Sequence, residues 1–295
     1  MSRLTDLRYR LEYAGLRIVV AAVRAVPLET ATAISAFLWQ LIAPHQRRHS
    51  RALENLAIAY PEKTPEEREA IALAMWGNLG RVMAETMQID RLIREPGRIR
   101  FVSPVFERYR NKMGPLIGAS LHMGNWELAI WPLMVAGAKP AAIYRTVNNP
   151  YVEAYLKHQR RDLYPGGLLS KGSEDESRKT VRIITDFVRR GGRLGIVADL
   201  HDRQGLRVPF FGHPAPSTAA PALIARRTGA RIWLARCLRV GTSSRFEIDM
   251  KELRVPRTAN QAEDIRWVTT EIHRQFEAWV REAPEQFMWS NRRWS

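Results

Sequence analysis

The run Gly114-Pro-Leu-Ile-Gly-Ala-Ser-Leu-His-Met-Gly-Asn-Trp-Glu127 changes its hydrophobic period halfway along, and the architecture turns on that change. Residues 117–121 are apolar or small apart from Ser120, which predicts a short buried strand ending at His122. Asn125 is an N-cap residue type, and Trp126, Leu128, Ile130 and Trp131 open an apolar run that predicts a helix to about Ala136. A histidine and a carboxylate five apart on one helix would lie about 140° from each other, at roughly 100° per residue. His122 and Glu127 can therefore meet only if His122 sits on a turn before the helix, and Gly124 permits such a turn.

Working outward, the chain beyond Gly114 alternates short apolar strands with amphipathic helices, the pattern of an α/β layer. Strands are expected at 140–144 and 193–198, the second ending on Asp199, with helices at 151–163 and from Ser173-Glu-Asp-Glu176 to Gly191-Gly192. The glycine- and proline-rich segment containing Phe210-Phe-Gly212 reads as a loop, and Ser217 or Thr218 as the start of a helix to about Arg227. Residues 230–240 and 245–253 read as an antiparallel pair turned by Gly241-Thr-Ser-Ser244, and 261–282 as a long final helix. The fold class is α/β, with a mixed, largely parallel central sheet flanked by helices.

Upstream, helices dominate. Thr64-Pro-Glu-Glu67 is a capping box with proline at the first helical position, and Ile71, Met75, Leu79, Val82 and Met83 continue that helix to about Met87. Residues 1–44 form a separate helical segment ahead of a 45–295 domain. Its apolar stretches, 18–26 and 31–43, are too short and too interrupted to span a bilayer. Two readings of this pair stay open: core helices, or a hairpin in a membrane interface with Trp39 at headgroup depth and Arg8, Arg10, Arg17 and Arg24 on phosphates.

The 295 residues include 46 basic and 30 acidic ones, a formal charge of +16, so phosphate-rich or acidic partners are expected. The single cysteine, Cys237, excludes an intramolecular disulfide and reads as a buried structural thiol. His122 and Asp199 both fall just past a strand's carboxyl end, where open α/β sheets bind ligands. A carboxylate on one imidazole nitrogen fixes the tautomer and stabilises the imidazolium that forms when the other takes a proton; Glu127 is placed for that duty. No serine or cysteine is visibly paired with the histidine, which points to direct attack by a substrate hydroxyl. His201, Asp202 and His213 match no metal-binding spacing, and no nucleotide-type glycine loop is present, so neither metal nor cofactor is expected. Arg145, Arg160 and Arg161 read either as a phosphate clamp or as a solvated helix face.

His122-Met-Gly-Asn-Trp-Glu127 resembles the His-x4-acid motif of lipid acyltransferases. Further pieces appear in the order of the lauroyl/myristoyl branch that acylates lipid A, within the lysophospholipid acyltransferase superfamily. They are Asn55-Leu-Ala-Ile-Ala-Tyr-Pro61, Tyr144-Arg145 with Asn149-Pro150, Ala198-Asp199, Val208-Pro-Phe-Phe-Gly212, and Pro284-Glu-Gln-Phe-Met-Trp289 with Arg292-Arg-Trp294. The resemblance covers roughly residues 45–294 and implies a glycerolphosphate-acyltransferase-like fold. It implies transfer of an acyl chain from acyl carrier protein to a hydroxyl of a lipid A precursor at the cytoplasmic face of a bacterial inner membrane. His122 would be the general base and Glu127 its orienting partner; Arg145, Arg160 and Asp199 would bind substrate. Leu200-His-Asp-Arg203 follows Asp199 at a point where branches differ, so the acceptor stays open: another glycolipid such as a phosphatidylinositol mannoside, or a phospholipid, with acyl-CoA as donor. The rival of another class is a non-catalytic basic protein binding membrane or nucleic acid. The acyltransferase reading expects an anionic membrane surface and no nucleic acid.

Overall fold

The computed structural model describes residues 3–109, 114–144, 146–170 and 177–294. Arg145 and the expected cap Ser173-Glu-Asp-Glu176 lie outside these described residues. The helices are α1 (Arg3–Ala25), α2 (Leu28–Ile42), α3 (Arg47–Ala59), α4 (Pro65–Met87), α5 (Ile89–Arg94), α6 (Val105–Tyr109), α7 (Trp131–Val135), α8 (Pro150–Arg160), α9 (Ser177–Arg189), α10 (Ala220–Thr228) and α11 (Gln261–Glu282). The strands are β1 (Ile99–Phe101), β2 (Leu116–Gly124), β3 (Ala141–Tyr144), β4 (Gly167–Ser170), β5 (Arg193–Val197), β6 (His201–Phe210), β7 (His213–Ser217), β8 (Arg231–Arg239) and β9 (Phe246–Leu253).

Seven strands make one sheet in the order β1-β9-β8-β2-β5-β3-β4. Only the β8–β9 pairing is antiparallel; the others run parallel. β2 lies between β8 and β5 and is covered on both faces, which is why it reads as a nearly continuous apolar run. Its side chains alternate between layers. Ile117, Ala119, Leu121 and Met123 join the core shared with α3, α4, α10 and α11, whereas Leu116 joins a second core with Leu128, Ile130 and Trp233.

The capping box forms as expected: Glu67 N donates to Thr64 Oγ1 at 3.2 Å, and Thr64 N donates to Glu67 Oε2 at 2.8 Å. Trp76 on this helix is fully buried and stacks on Trp39 at 5.8 Å between centroids. α2 crosses α4 at Gly80, where a Cβ would stand 2.5 Å from Ser35 O, so a smaller side chain than alanine is required at the crossing. At the other end, Asn149 caps α8 by accepting from Tyr151 N and Val152 N. Its Nδ2 donates to Tyr9 O and Glu12 Oε2, both at 2.9 Å, and thereby ties α1 to α8. Among the described residues no helix is long and apolar enough to cross a membrane. Much of the apolar surface of α1 nonetheless faces outward, with Leu4, Leu7, Leu11 and Ile18 exposed in one stripe while Val20 is buried, and α2 exposes Ile34, Phe37, Leu38 and Leu41.

Four expectations need correction. β2 does not stop at His122 but continues to Gly124, with a shift of register against β8 between Ser120 and Gly124. The helix after it is broken into a 3₁₀ turn, Trp126–Ile130, and the short α7, because Pro132 at the start of α7 has no N–H to continue the earlier turn. The expected loop around Phe210 is the antiparallel hairpin β6–β7, in which Pro209 faces Pro214. This ribbon has only two strands, so a proline can sit where its missing N–H breaks no interior ladder bond. Phe211 and Gly212, both at positive φ (51° and 73°), make the tight two-residue turn. Finally, α10 starts at Ala220 rather than at Ser217 or Thr218; Ser217 ends β7, and Thr218 Oγ1 accepts from Ala220 N. The short strands β1 and β4 have no sequence expectation behind them.

Candidate active site

Parallel pairing of β2 with β5 builds the centre of the site. Ser120 is opposite Val197, and Ala198 N donates to Ser120 O at 2.8 Å, which carries the ladder one step past β5. Two residues on from that pair stand His122 and Asp199. Asp199 Oδ1 lies 2.7 Å from His122 Nδ1, and Oδ2 accepts from His122 backbone N at 3.1 Å. The Asp199 residue is almost completely buried, at 2% exposure. With a carboxylate on Nδ1, the proton belongs on Nδ1 and the lone pair on Nε2.

The orienting contact therefore comes from Asp199, which corrects the expectation that Glu127 makes it. Because β2 runs past the histidine and the next segment is a tight 3₁₀ turn, Glu127 is carried to a different partner. It pairs with Arg160 at the end of α8, which approaches through NH2 to Oε1. Trp126 packs its ring edge-on to the imidazole, 5.2 Å between centroids. Asn125 does not cap the turn with its side chain either; its Nδ2 donates to Glu85 Oε2 at 2.9 Å.

Electrostatics couple these groups. Burial pushes the His122 pKa down, but the charge of Asp199, its hydrogen bond and the charge of Glu127 outweigh it and raise the pKa above the usual 6.5. Burial pushes Asp199 up, and His122, with a smaller contribution from Arg293, outweighs that and holds the carboxyl below its usual value. The Tyr164 hydroxyl beside them is pushed up, first by burial and then by the Glu127 charge. Arg293 is driven down to about 10 by burial, opposed by Asp199. It donates to Pro216 O at 3.2 Å and Ser217 Oγ at 2.8 Å, and its guanidinium lies over the Phe210 ring.

His122, Glu127, Arg160 and Tyr164 line a cavity of about 800 Å³. Its floor on the sheet is Gly118, Ser120 and Gly195, and its walls are largely aliphatic, with Ile130, Ile143, Leu168, Ile184 and Leu223 among them. The structure thus brings together His122, Glu127, Arg160 and Asp199 of the expected residues. Arg161 is outside, exposed and 3.7 Å from Asp162. His201 and Asp202 reach the cavity, whereas His213 is exposed on β7. Among the described residues no group of three histidine, cysteine or acidic side chains is placed to hold a metal ion. Cys237 is buried on β8, with its thiol pKa raised first by burial. The sequence does not single out Tyr164 or Arg293 as site residues; Tyr164 belongs to no motif, Arg293 lies inside the family-like Arg292-Arg-Trp294 stretch, and both come near the site only through tertiary packing.

Chemically, the arrangement offers an imidazole with one nitrogen held by a carboxylate and the other free to take a proton. The guanidinium of Arg160, paired with Glu127, lines the same largely apolar chamber. A family model described as bacterial lipid A biosynthesis acyltransferase matches residues 2–295. No curated protein matches the chain.

Proposed function

Since the chain belongs to the bacterial lipid A biosynthesis acyltransferase family, we propose that it moves a fatty acyl group from the thioester of acyl carrier protein to a hydroxyl of a lipid A precursor. His122 is the general base. Its Nε2 takes the hydroxyl proton as the oxygen attacks the thioester carbonyl carbon. The C–O bond forms, the carbonyl oxygen gains negative charge, and collapse of the tetrahedral intermediate breaks the C–S bond. The imidazolium then returns its proton to the leaving thiolate. Asp199 stabilises the imidazolium and keeps its tautomer, and Arg160, steadied by Glu127, stabilises the oxyanion. The observation that carries this reading is the 2.7 Å contact of Asp199 with His122 Nδ1 at the edge of a largely aliphatic cavity fit for an acyl chain.

The test is incubation of purified protein with acyl carrier protein thioester and a lipid A precursor, with mass spectrometry of the lipid. An ester product one acyl group heavier supports the assignment. Product formed only when acyl-CoA and a glycolipid or phospholipid acceptor are supplied would replace it with the second reading. That second reading is favoured by His201 and Asp202, which border the cavity and follow Asp199 in the stretch on which the choice of acceptor stays open.

The lipid substrate also places the protein, in our proposal, on the cytoplasmic face of an inner membrane, with residues 1–44 as the associating segment. Ile18 and Phe37 are 70% and 64% exposed, a cost in water that a bilayer interface removes. The +16 charge adds attraction to anionic headgroups. The protein is expected to float with phosphatidylglycerol-containing vesicles in a sucrose gradient, and Phe37→Glu with Leu41→Glu to cut the bound fraction about tenfold or more. Equal flotation of the double variant would remove the segment from this role.

A further inference from the structure

Under the turn that joins His122 to Glu127 lies a buried ion pair. Glu85 on α4 is fully buried and Arg239 at the end of β8 nearly so. The guanidinium meets the carboxylate with two nitrogens, NH1 to Oε1 and NH2 to Oε2. Two arms leave this pair toward consecutive residues of the turn. Glu85 Oε2 accepts from Asn125 Nδ2 at 2.9 Å. Arg239 Nε donates to Asn78 Oδ1 at 3.1 Å, and Asn78 Nδ2 donates to Gly124 O at 3.1 Å.

The backbone closes the clamp from the other sides. Asn125 N donates to Cys237 O at 3.1 Å, and Met288 N donates to His122 O at 2.9 Å. Gln286 exchanges two bonds with the backbone of Arg239, at 2.9 and 3.0 Å. Gly124 has φ +57°, and a Cβ there would stand 1.8 Å from Cys237 O, so only glycine fits.

A buried ion pair is seldom a net gain in stability over apolar side chains of the same volume, because both charges lose their hydration. What this pair supplies is direction, since its two arms end on consecutive residues between His122 and Glu127, the Gly124 carbonyl and the Asn125 side chain. General bases and oxyanion donors lose rate steeply when displaced by about 0.5 Å or more. We propose that Glu85 and Arg239 are positioning residues for acyl transfer. Acting through Asn125 and Asn78, they fix the Gly124–Asn125 turn and hence the placement of His122 relative to the Glu127–Arg160 pair. The inference rests on the reading of His122 as the base.

The experiment is a double-mutant cycle on kcat in the acyl-transfer assay, with Asn125→Ala, Asn78→Ala, Glu85→Gln and the combination of Glu85→Gln with Asn125→Ala. Each asparagine variant is expected to melt within a few degrees of the parent, to lose about tenfold or more in kcat, and to keep KM within about twofold. The combined variant is expected to lose little more than Glu85→Gln alone, because both cut the same arm. Unchanged kcat per folded molecule in the asparagine variants, or losses that simply multiply in the combination, would overturn the proposal. If Glu85→Gln does not fold, the two asparagine variants decide by themselves. His122→Ala runs alongside: if it retains turnover, the reading of the base has failed instead.

Discussion

Asp199→Asn is expected to lower kcat by about 10³-fold or more, the scale seen when a base's tautomer is lost. The carboxylate accepts two hydrogen bonds, one from His122 Nδ1–H and one from His122 backbone N–H. An amide has one acceptor oxygen and one donor nitrogen, so it can satisfy only one of them. If its oxygen stays on the backbone N–H, its NH2 faces Nδ1 and drives the ring proton to Nε2, the atom that has to act as base. If it turns the other way, an N–H meets an N–H. The variant also removes the charge that, after burial, does most to set the His122 pKa. In the proposed mechanism the base works in its neutral form, so kcat/KM is expected to rise with pH through the His122 pKa. The acid limb of the parent is expected to have its midpoint above 6.5, and that of the residual Asp199→Asn activity to lie lower. A variant with parental kcat, or an acid limb that does not move, would deny Asp199 this role. Arg293 loses its nearby counter-charge in the same variant, so a lower melting temperature is expected as well, and rates are to be referred to folded protein.

Arg160→Gln is expected to cost about 10²- to 10³-fold in kcat, the range for removing one donor from a developing oxyanion. Because Arg160 and Glu127 are paired, the single changes and the double change report differently. Glu127→Gln leaves the guanidinium in place but free to rotate away from the thioester oxygen. Arg160→Gln leaves Glu127, which is 8% exposed, without its cation. The combination Glu127→Gln with Arg160→Gln replaces the ion pair by a neutral couple that leaves no buried charge unpaired. It is expected to regain the melting temperature lost by the singles while remaining as slow as Arg160→Gln. Recovery of both stability and rate in the double variant would mean that the pair only braces the fold. Steady-state kinetics and thermal melts on the three variants separate these outcomes.

How much of this could be read from the chain depended on the range of the interaction involved. Features set within a few residues were legible. Thr64 to Glu67 caps α4 as its spacing demands, the Gly241 turn joins β8 to β9, and the apolar run of β2 marks a strand buried on both faces. That His122, Glu127, Arg160 and Asp199 share one neighbourhood was legible too, since His122 and Asp199 follow apolar runs that read as strands and Glu127 and Arg160 lie in motif positions. Their pairing was not. Glu127 is near His122 in sequence, but the strand continues for two residues beyond the histidine, and this turns the glutamate toward Arg160. Asp199 is 77 residues away and reaches the imidazole only through the β2–β5 register, which no local pattern encodes. Prolines misled in both directions: Pro132 divided an expected helix, whereas Pro209 and Pro214 were accommodated in a strand ribbon that reads as loop. Glu85 sits on the buried face of α4 among apolar residues, where a carboxylate is a sign of a distant partner; that partner, Arg239, is 154 residues on.

Every step of the proposed reaction depends on His122. The decisive measurement is the single-turnover rate of acyl transfer by folded His122→Ala, with saturating thioester and acceptor. A general base at this position predicts a fall of about 10³-fold or more, with donor and acceptor binding retained. Transfer at the parental rate by a variant with the parental melting temperature would contradict it.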